Sequence, residues 1–292
     1  MIEPRLDHVI AARLNRLLQR SADTFLPLHI DGRVVGWVTP PRARRLARWS
    51  DVFDVDAGAI AFAAPLVTSD ARTMALDRVT RTLADEGALS PWRDERYAIA
   101  PTFGAAPWFD IERAAARYFG VHSWAVHGNG LVDCDGAIHM WLARRSATKA
   151  IDPGMLDNLV GGGVPAGFDL RHTFIKEAWE EAGLSSATAH AAPHVSTLHI
   201  ARETGDGLMR ESIAIYDLVL PRDREPVNQD GEAVDHRRMT LGDAARLIAL
   251  DAGPDQVTPE ASVIILDALE RLGYVDPRGP AAATLATLRV MA

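Results

Sequence analysis

A single cysteine, Cys134, stands among 292 residues, so an intramolecular disulfide is excluded and a reducing compartment suits the chain. No base is tied to that thiol in the sequence, and it reads as a small residue near a turn rather than as a nucleophile. No apolar run approaches the length of a membrane span. The opening Met1-Ile2-Glu3-Pro4-Arg5 lacks the basic start and long apolar core of a secretory leader, which makes a cytoplasmic location the expectation. Basic residues are also short: 31 Lys and Arg face 39 Asp and Glu, a formal net charge of -8. That balance argues against a nucleic-acid backbone as the main partner. It leaves a phosphorylated small molecule open, since local cations and a bound metal then set the potential at the site. No repeat or low-complexity segment precedes residue 120, and no Pro/Gly/Ser run marks a linker.

What is present is a chain long enough for two domains, with 48% hydrophobic residues to build their cores. Helical spacing is read over residues 8–19, 41–49, 70–86, 111–118, 241–250 and 259–272. Residues 26–30 and 33–38 flank Asp31-Gly32, a two-residue hairpin signal. Strand character appears over 124–131 and 138–144 around a turn at 133–136, and again over 212–220. The cluster Arg42, Arg44, Arg45 and Arg48 reads as a solvated face. Alternating β and α elements after Gly120 suit an α/β/α sandwich around a mixed sheet. The expected division is 1–119, a smaller α+β N-terminal domain; 120–276, the α/β domain; and 277–292, a tail that is a short helix or a partly mobile end.

The richest stretch is Gly161-Gly162-Gly163, followed by Lys176-Glu177-Ala178-Trp179-Glu180-Glu181-Ala182-Gly183-Leu184. A helix over 170–182 has an N-cap in Asp169, a left-handed cap in Gly183 and an apolar stripe of Phe174, Ile175, Ala178, Trp179 and Ala182. Glu177, Glu180 and Glu181 then share one face. Like charges so placed repel, and a hard divalent cation held by carboxylate oxygens relieves them. The glycines are read as a flexible loop whose backbone can approach a ligand.

These residues resemble the Nudix hydrolases, whose signature runs from a glycine through an early glutamate to Arg-Glu, Glu-Glu and Gly. Gly162, Glu177, Glu180, Glu181 and Gly183 take its positions, while Phe168 and Lys176 replace the early glutamate and the arginine. Residues 153–167, together with Gly36-Trp37-Val38, Trp92 to Tyr97, Ile111 to Ala115 and Val126 to Gly130, resemble the branch related to thiamine pyrophosphokinase. That branch also lacks the early glutamate and carries an extra N-terminal domain.

The resemblance implies Mg2+ or Mn2+ held by Glu177, Glu180, Glu181 and the Gly161 carbonyl oxygen. Glu180, Glu181 and Glu232 are the implied catalytic carboxylates, with Glu180 and Glu232 the candidates for taking the proton from water. Arg144, Arg145, Lys149, Gly162 and Gly163 are candidates for holding phosphate oxygens, and Arg202 is a weaker one. Trp124, Trp141, Tyr118 and Phe119 could stack on a heterocycle, and His122 and His127 could hydrogen-bond it, although packing explains each as well. The implied activity is hydrolysis of thiamine diphosphate, or a damaged oxo or oxy analogue, to the monophosphate and phosphate. The alternatives are a Nudix hydrolase of another nucleoside-diphosphate-linked compound, such as ADP-ribose or a dinucleotide, and a non-catalytic Nudix-fold binding module. The expected partner is a small-molecule diphosphate, with no nucleic acid and no membrane, and homodimerisation is left open.

Overall fold

Asp31 and Gly32 both adopt positive φ, 49° and 77°, the backbone that a two-residue type I′ turn demands. They join β1 (Leu26–Ile30) to β2 (Arg33–Val38) as the sequence predicts. In this computed structural model, residues 1–18, 25–89, 91–149 and 151–290 are described. Helix α1 (Pro4–Leu17) starts earlier than expected because Pro4 can open a helix without losing a hydrogen bond; Gln19 lies outside the described residues. Helix α2 (Pro40–Leu46) stops short of Trp49. Strands β3 (Phe53–Val55) and β4 (Ile60–Phe62) complete a sheet of order β2-β1-β4-β3.

Helix α3 (Ser69–Asp85) is capped by Thr68, whose hydroxyl accepts from the Ala71 N–H at 3.1 Å. It covers a two-stranded ribbon of β5 (Arg96–Ile99) and β6 (Phe109–Glu112). The helix expected over 111–118 is therefore corrected. Phe109 and Ile111 are buried on alternate positions, and Ile111 faces Tyr97 across the ribbon, so its first residues are strand. A 3-10 turn (Arg113–Ala115) and the one-turn α4 (Ala116–Phe119) follow, closed by Gly120 at φ 56°. The basic cluster is largely surface pairing: Arg45 and Arg48 both bind Glu86, while Arg42 donates to the Asp206 carbonyl.

A second sheet is built from β7 (His122–Cys134), β8 (Ala137–Arg145), β9 (Leu156–Asn158), β10 (Val160–Gly163), β11 (His194–Thr204), β12 (Gly207–Val219) and β13 (Ala233–Thr240). Its order is β11-β12-β7-β8-β13, with β10 on β7 and β9 on β8. β12 and β7 run parallel and the other pairs antiparallel, so the sheet is mixed. Successive residues feed opposite faces. Ala125, Ile213 and Ile215 pack under α7 (Leu241–Leu247), α8 (Pro259–Arg271) and α9 (Pro280–Leu288), whereas Val126, Ala214 and Tyr216 pack under α5 (Leu170–Ala182) and α6 (Ser186–Ala191).

An α/β/α sandwich preceded by an α+β unit is thus the fold. Helix α1 packs on α8 and α9 of the sandwich. The buried Arg13 ties it there, donating to the Ile248 and Val257 carbonyls at 3.0 Å and to Ser262 Oγ at 2.9 Å. Most of the expected tail is α9, with Ala281 and Leu285 buried. Among the described residues no helix is long and apolar enough to cross a membrane.

Candidate active site

Helix α5 begins where Asp169 accepts from the His172 N–H at 2.7 Å and ends at Gly183 with φ 61°. Phe174, Ala178 and Ala182 form its buried stripe. Trp179, expected in that stripe, is instead 55% exposed. At about 100° per residue, Glu181 lies inward of Glu177 and Glu180 lies outward. Side-chain exposure follows this order, with Glu177 at 14% and Glu180 at 34%. Lys176 bridges the outer pair, lying 3.2 Å from Glu177 and 2.5 Å from Glu180.

The glycine run is not a loop. It forms β10, paired antiparallel with β7 so that Gly161 faces His127. Its glycines serve close approach: a Cβ on Gly162 would fall onto the Glu177 side chain and one on Gly163 onto the Tyr97 hydroxyl. The helix can therefore lie directly against the strand. The Gly161 N–H donates to Glu181 Oε2 at 2.7 Å. Burial pushes the Glu177 carboxyl above its ordinary range, with Lys176 pulling it back. Burial, then repulsion from Glu177, push Glu181 well above that range despite the Gly161 hydrogen bond.

Among the described residues no three His, Cys, Asp or Glu side chains stand gathered as a finished cation cage. The donor chemistry nevertheless fits a hard divalent cation. Glu177 and Glu181 offer carboxylate oxygens in an electronegative, partly desolvated place, and such a cation would relieve the repulsion between them.

In front of β10 lies a cavity of about 200 Å³. Its lining includes Gly161, Gly162, Gly163, Arg145, Lys149 and Glu232; the α5 carboxylates are not among the lining residues, yet Glu181 feels the charges of Asp157 and Lys149 and Glu177 that of Arg113, all on the cavity wall. Arg145 is held by Asp157 at 2.7 Å, and Lys149 is paired with Glu232, itself 43% exposed. Arg144 is not brought to the cavity. Its guanidinium donates to the Gly154 and Pro254 carbonyls at 2.7 Å and binds Asp255, so it braces loops and is withdrawn from the phosphate-holding set. Arg202 is spent on Glu260 at 2.6 Å and Asp152 at 3.4 Å.

The aromatic candidates also stand elsewhere. Tyr118 and Phe119 belong to the core of the first unit, Trp141 is buried, and Trp124 packs edge-on against Phe103. Sequence reasoning missed Tyr97, Arg113, Arg117, Asp157, Glu211 and Glu260, all on the cavity wall. They come from five separate segments, and no local spacing announces them.

His127 does line the cavity, and a buried network fixes its tautomer. The Asp217 carboxylate can only accept, so Asn129 donates to it at 2.9 Å with Nδ2. Asn129 Oδ1 then accepts from Asn158 Nδ2 at 3.3 Å, which leaves Asn158 Oδ1 to accept from His127 Nδ1 at 3.0 Å. His127 therefore carries its proton on Nδ1.

His122 lies outside the cavity lining, sharing Ser212 Oγ with His199 at 2.7 and 2.6 Å. Burial, aided by Arg210 and His199, pushes its pKa down to about 4. An unfolded histidine titrates near 6.5, so between that value and about 4 the unfolded chain takes up a proton that the folded protein refuses. Stability is intact above this window and falls on acidification through it, by on the order of 2 kcal/mol from pH 7 to pH 5. His122→Asn should remove that share of the loss. Urea unfolding at both pH values tests it, and equal losses in the two proteins would refute it.

Family models match two stretches of the chain. A model described as "Domain of unknown function (DUF4743)" matches residues 8–123, and a NUDIX domain model matches residues 124–261. Nudix hydrolase 24, chloroplastic, of Arabidopsis thaliana is 33% identical over 270 residues, covering 92% of this chain and 73% of that protein. Nudix hydrolase 20, chloroplastic, of the same plant is 33% identical over 274 residues, covering 91% and 72%. Among solved structures, a C. elegans Ap4A hydrolase is similar with a TM-score of 0.40 at 15% identity, covering 52% of this chain and 99% of that one.

Proposed function

This chain belongs to the Nudix hydrolase family, and we propose from that premise that it cleaves thiamine diphosphate, or an oxidised analogue of it, to the monophosphate and inorganic phosphate. At the coarser level it is a Nudix-type pyrophosphohydrolase, an enzyme of phosphoric anhydrides, in a family that acts on small-molecule diphosphates and generally uses divalent metal ions. The observation that carries the site reading is the pair Glu177 and Glu181, both raised in pKa and pressed against the Gly161–Gly163 strand. The substrate reading is carried by residues 153–167, whose pattern resembles the thiamine-pyrophosphokinase-related branch.

In this reading Glu177, Glu181 and the Gly161 carbonyl would hold Mg2+ or Mn2+, with Glu180 beside them. When bound, such a cation neutralises the diphosphate and lowers the pKa of water. The chain's own groups do the rest. Arg145 and Lys149 offset phosphate charge from the cavity wall, each steadied by its carboxylate partner. Gly162 and Gly163, on the cavity wall, are the backbone positions proposed to face phosphate oxygens. Water attacks a phosphorus, the bridging P–O bond breaks, and a carboxylate takes the proton. Each candidate is engaged by a lysine, Glu232 by Lys149 and Glu180 by Lys176, and Glu232 is preferred for that step because it lines the cavity. We keep the division at residue 120, with 1–119 forming one wall of the site, and a cytoplasmic location as parts of the proposal.

A panel of thiamine diphosphate, its oxo and oxy analogues, ADP-ribose and a dinucleotide, assayed with Mg2+ and with Mn2+, tests the reading. Monophosphate release from the thiamine compounds is expected, dependent on either metal. A strong preference for adenylate compounds would sink the thiamine assignment. Ligand binding by calorimetry with no turnover anywhere on the panel would make the protein a binding module.

A further inference from the structure

The cations chosen from the sequence already have carboxylate partners, as Arg113 has in Glu95, and Arg117 differs from them in the same cavity. Arg93, Arg113 and Arg117, all from the N-terminal unit, line it. Arg113 and Arg117 are four residues apart across the 3-10 turn and α4, and both side chains reach the cavity. Ala115, Tyr118 and Phe119 turn away from it and are buried in the unit's core. The pair is thus held on a fixed element rather than on a loose loop.

Arg113 touches Glu95 at 3.2 Å. The Arg117 guanidinium contacts Met209 Sδ at 3.6 Å and makes no ion pair within the described residues. Glu211, on the same wall, feels its charge without closing a salt bridge. A part-buried guanidinium with only a thioether at hand leaves most of its donors unspent, and such a fork suits an anion better than any other ligand.

We infer that Arg113 and Arg117 form an anion-binding wall, contributed by the N-terminal unit, that grips the terminal phosphate of the substrate. The inference rests on the pyrophosphohydrolase reading and sharpens it. Two guanidinium groups reaching one cavity match a terminal phosphate, which carries close to two negative charges at neutral pH, better than the singly charged bridging phosphates of a dinucleotide. The favoured ligand class is therefore an organic diphosphate with a free terminal phosphate.

The test uses the full-length protein and the variants Arg117→Ala, Arg113→Ala and Arg117→Lys, with Arg222→Ala, which alters a surface pair with Asp135, as the control. For a terminal diphosphate each alanine variant should raise KM about tenfold or more, with a smaller effect on kcat. Calorimetry with inorganic pyrophosphate should show a matching loss of affinity, and Arg117→Lys should recover part of it. The preference for terminal diphosphates over ADP-ribose should shrink in the alanine variants. Unchanged KM and unchanged pyrophosphate affinity in both alanine variants, with wild type active, would overturn the wall. Should Arg117→Ala fail to fold, Arg113→Ala and Arg117→Lys decide by the same readouts. A wild type inactive on every substrate would instead defeat the pyrophosphohydrolase reading, and pyrophosphate calorimetry would then judge the wall by itself.

Discussion

Glu181→Gln should lower kcat about a thousandfold or more while making the metal-free protein more resistant to heat at neutral pH. The two effects have one origin. Glu181 is raised well above the carboxylate range by burial and by Glu177, so the folded protein holds its charge less willingly than the unfolded chain does. Such a group costs stability as pH rises above its unfolded value, and glutamine abolishes that cost. The amide oxygen can still accept from the Gly161 N–H, so the local fold has no reason to change. What disappears is the negative oxygen that a divalent ion needs. Turnover with saturating Mg2+ or Mn2+ and melting in a chelator read the two halves separately. Full activity in the variant would remove Glu181 from the metal set, and a lower melting temperature would contradict the electrostatic account.

Gly120→Ala carries the largest expected stability effect, a loss of about 3 kcal/mol or more, seen as a fall in melting temperature of about 10 °C. Gly120 closes α4 at φ 56°, where a side chain is strained, and a Cβ there would fall on the Trp37 carbonyl oxygen. A carbonyl in a paired strand cannot step aside as a flexible side chain can. The same change should loosen α4, which carries Arg117, so KM should rise along with the loss of stability. Melting within about two degrees of wild type would show that the contact yields easily.

The contrast between these glycines shows how far local sequence reaches. Gly183 and Gly120 are both readable as helix ends, and both take the left-handed cap. Nothing near Gly120 in the chain reveals that Trp37 lies against it. Likewise, spacing places Glu177, Glu180 and Glu181 on one helix but cannot grade them. Their different exposure depends on which side of α5 meets β10. The glycine run looked like a loop because glycine disfavours strands when judged alone. It is a strand because the Glu177 and Tyr97 side chains occupy the space that its own side chains would have filled. Arg144 looked equivalent to Arg145, yet alternation along β8 and the partners Gly154, Pro254 and Asp255 turn it elsewhere.

Sequence by itself determined the hairpin at Asp31-Gly32, the capped glutamate helix, the acidic cluster and the family, since each rests on neighbours within a few residues or on a continuous motif. Tertiary structure decided the depth of each glutamate, the strand nature of Gly161–Gly163, the docking of α1 on α8 and α9, and the arginine pair facing the site from the first unit. The physical reason is distance along the chain. Caps, turns and periodicity are local energies, whereas burial, desolvation and a shared cavity are set by residues that only folding brings together.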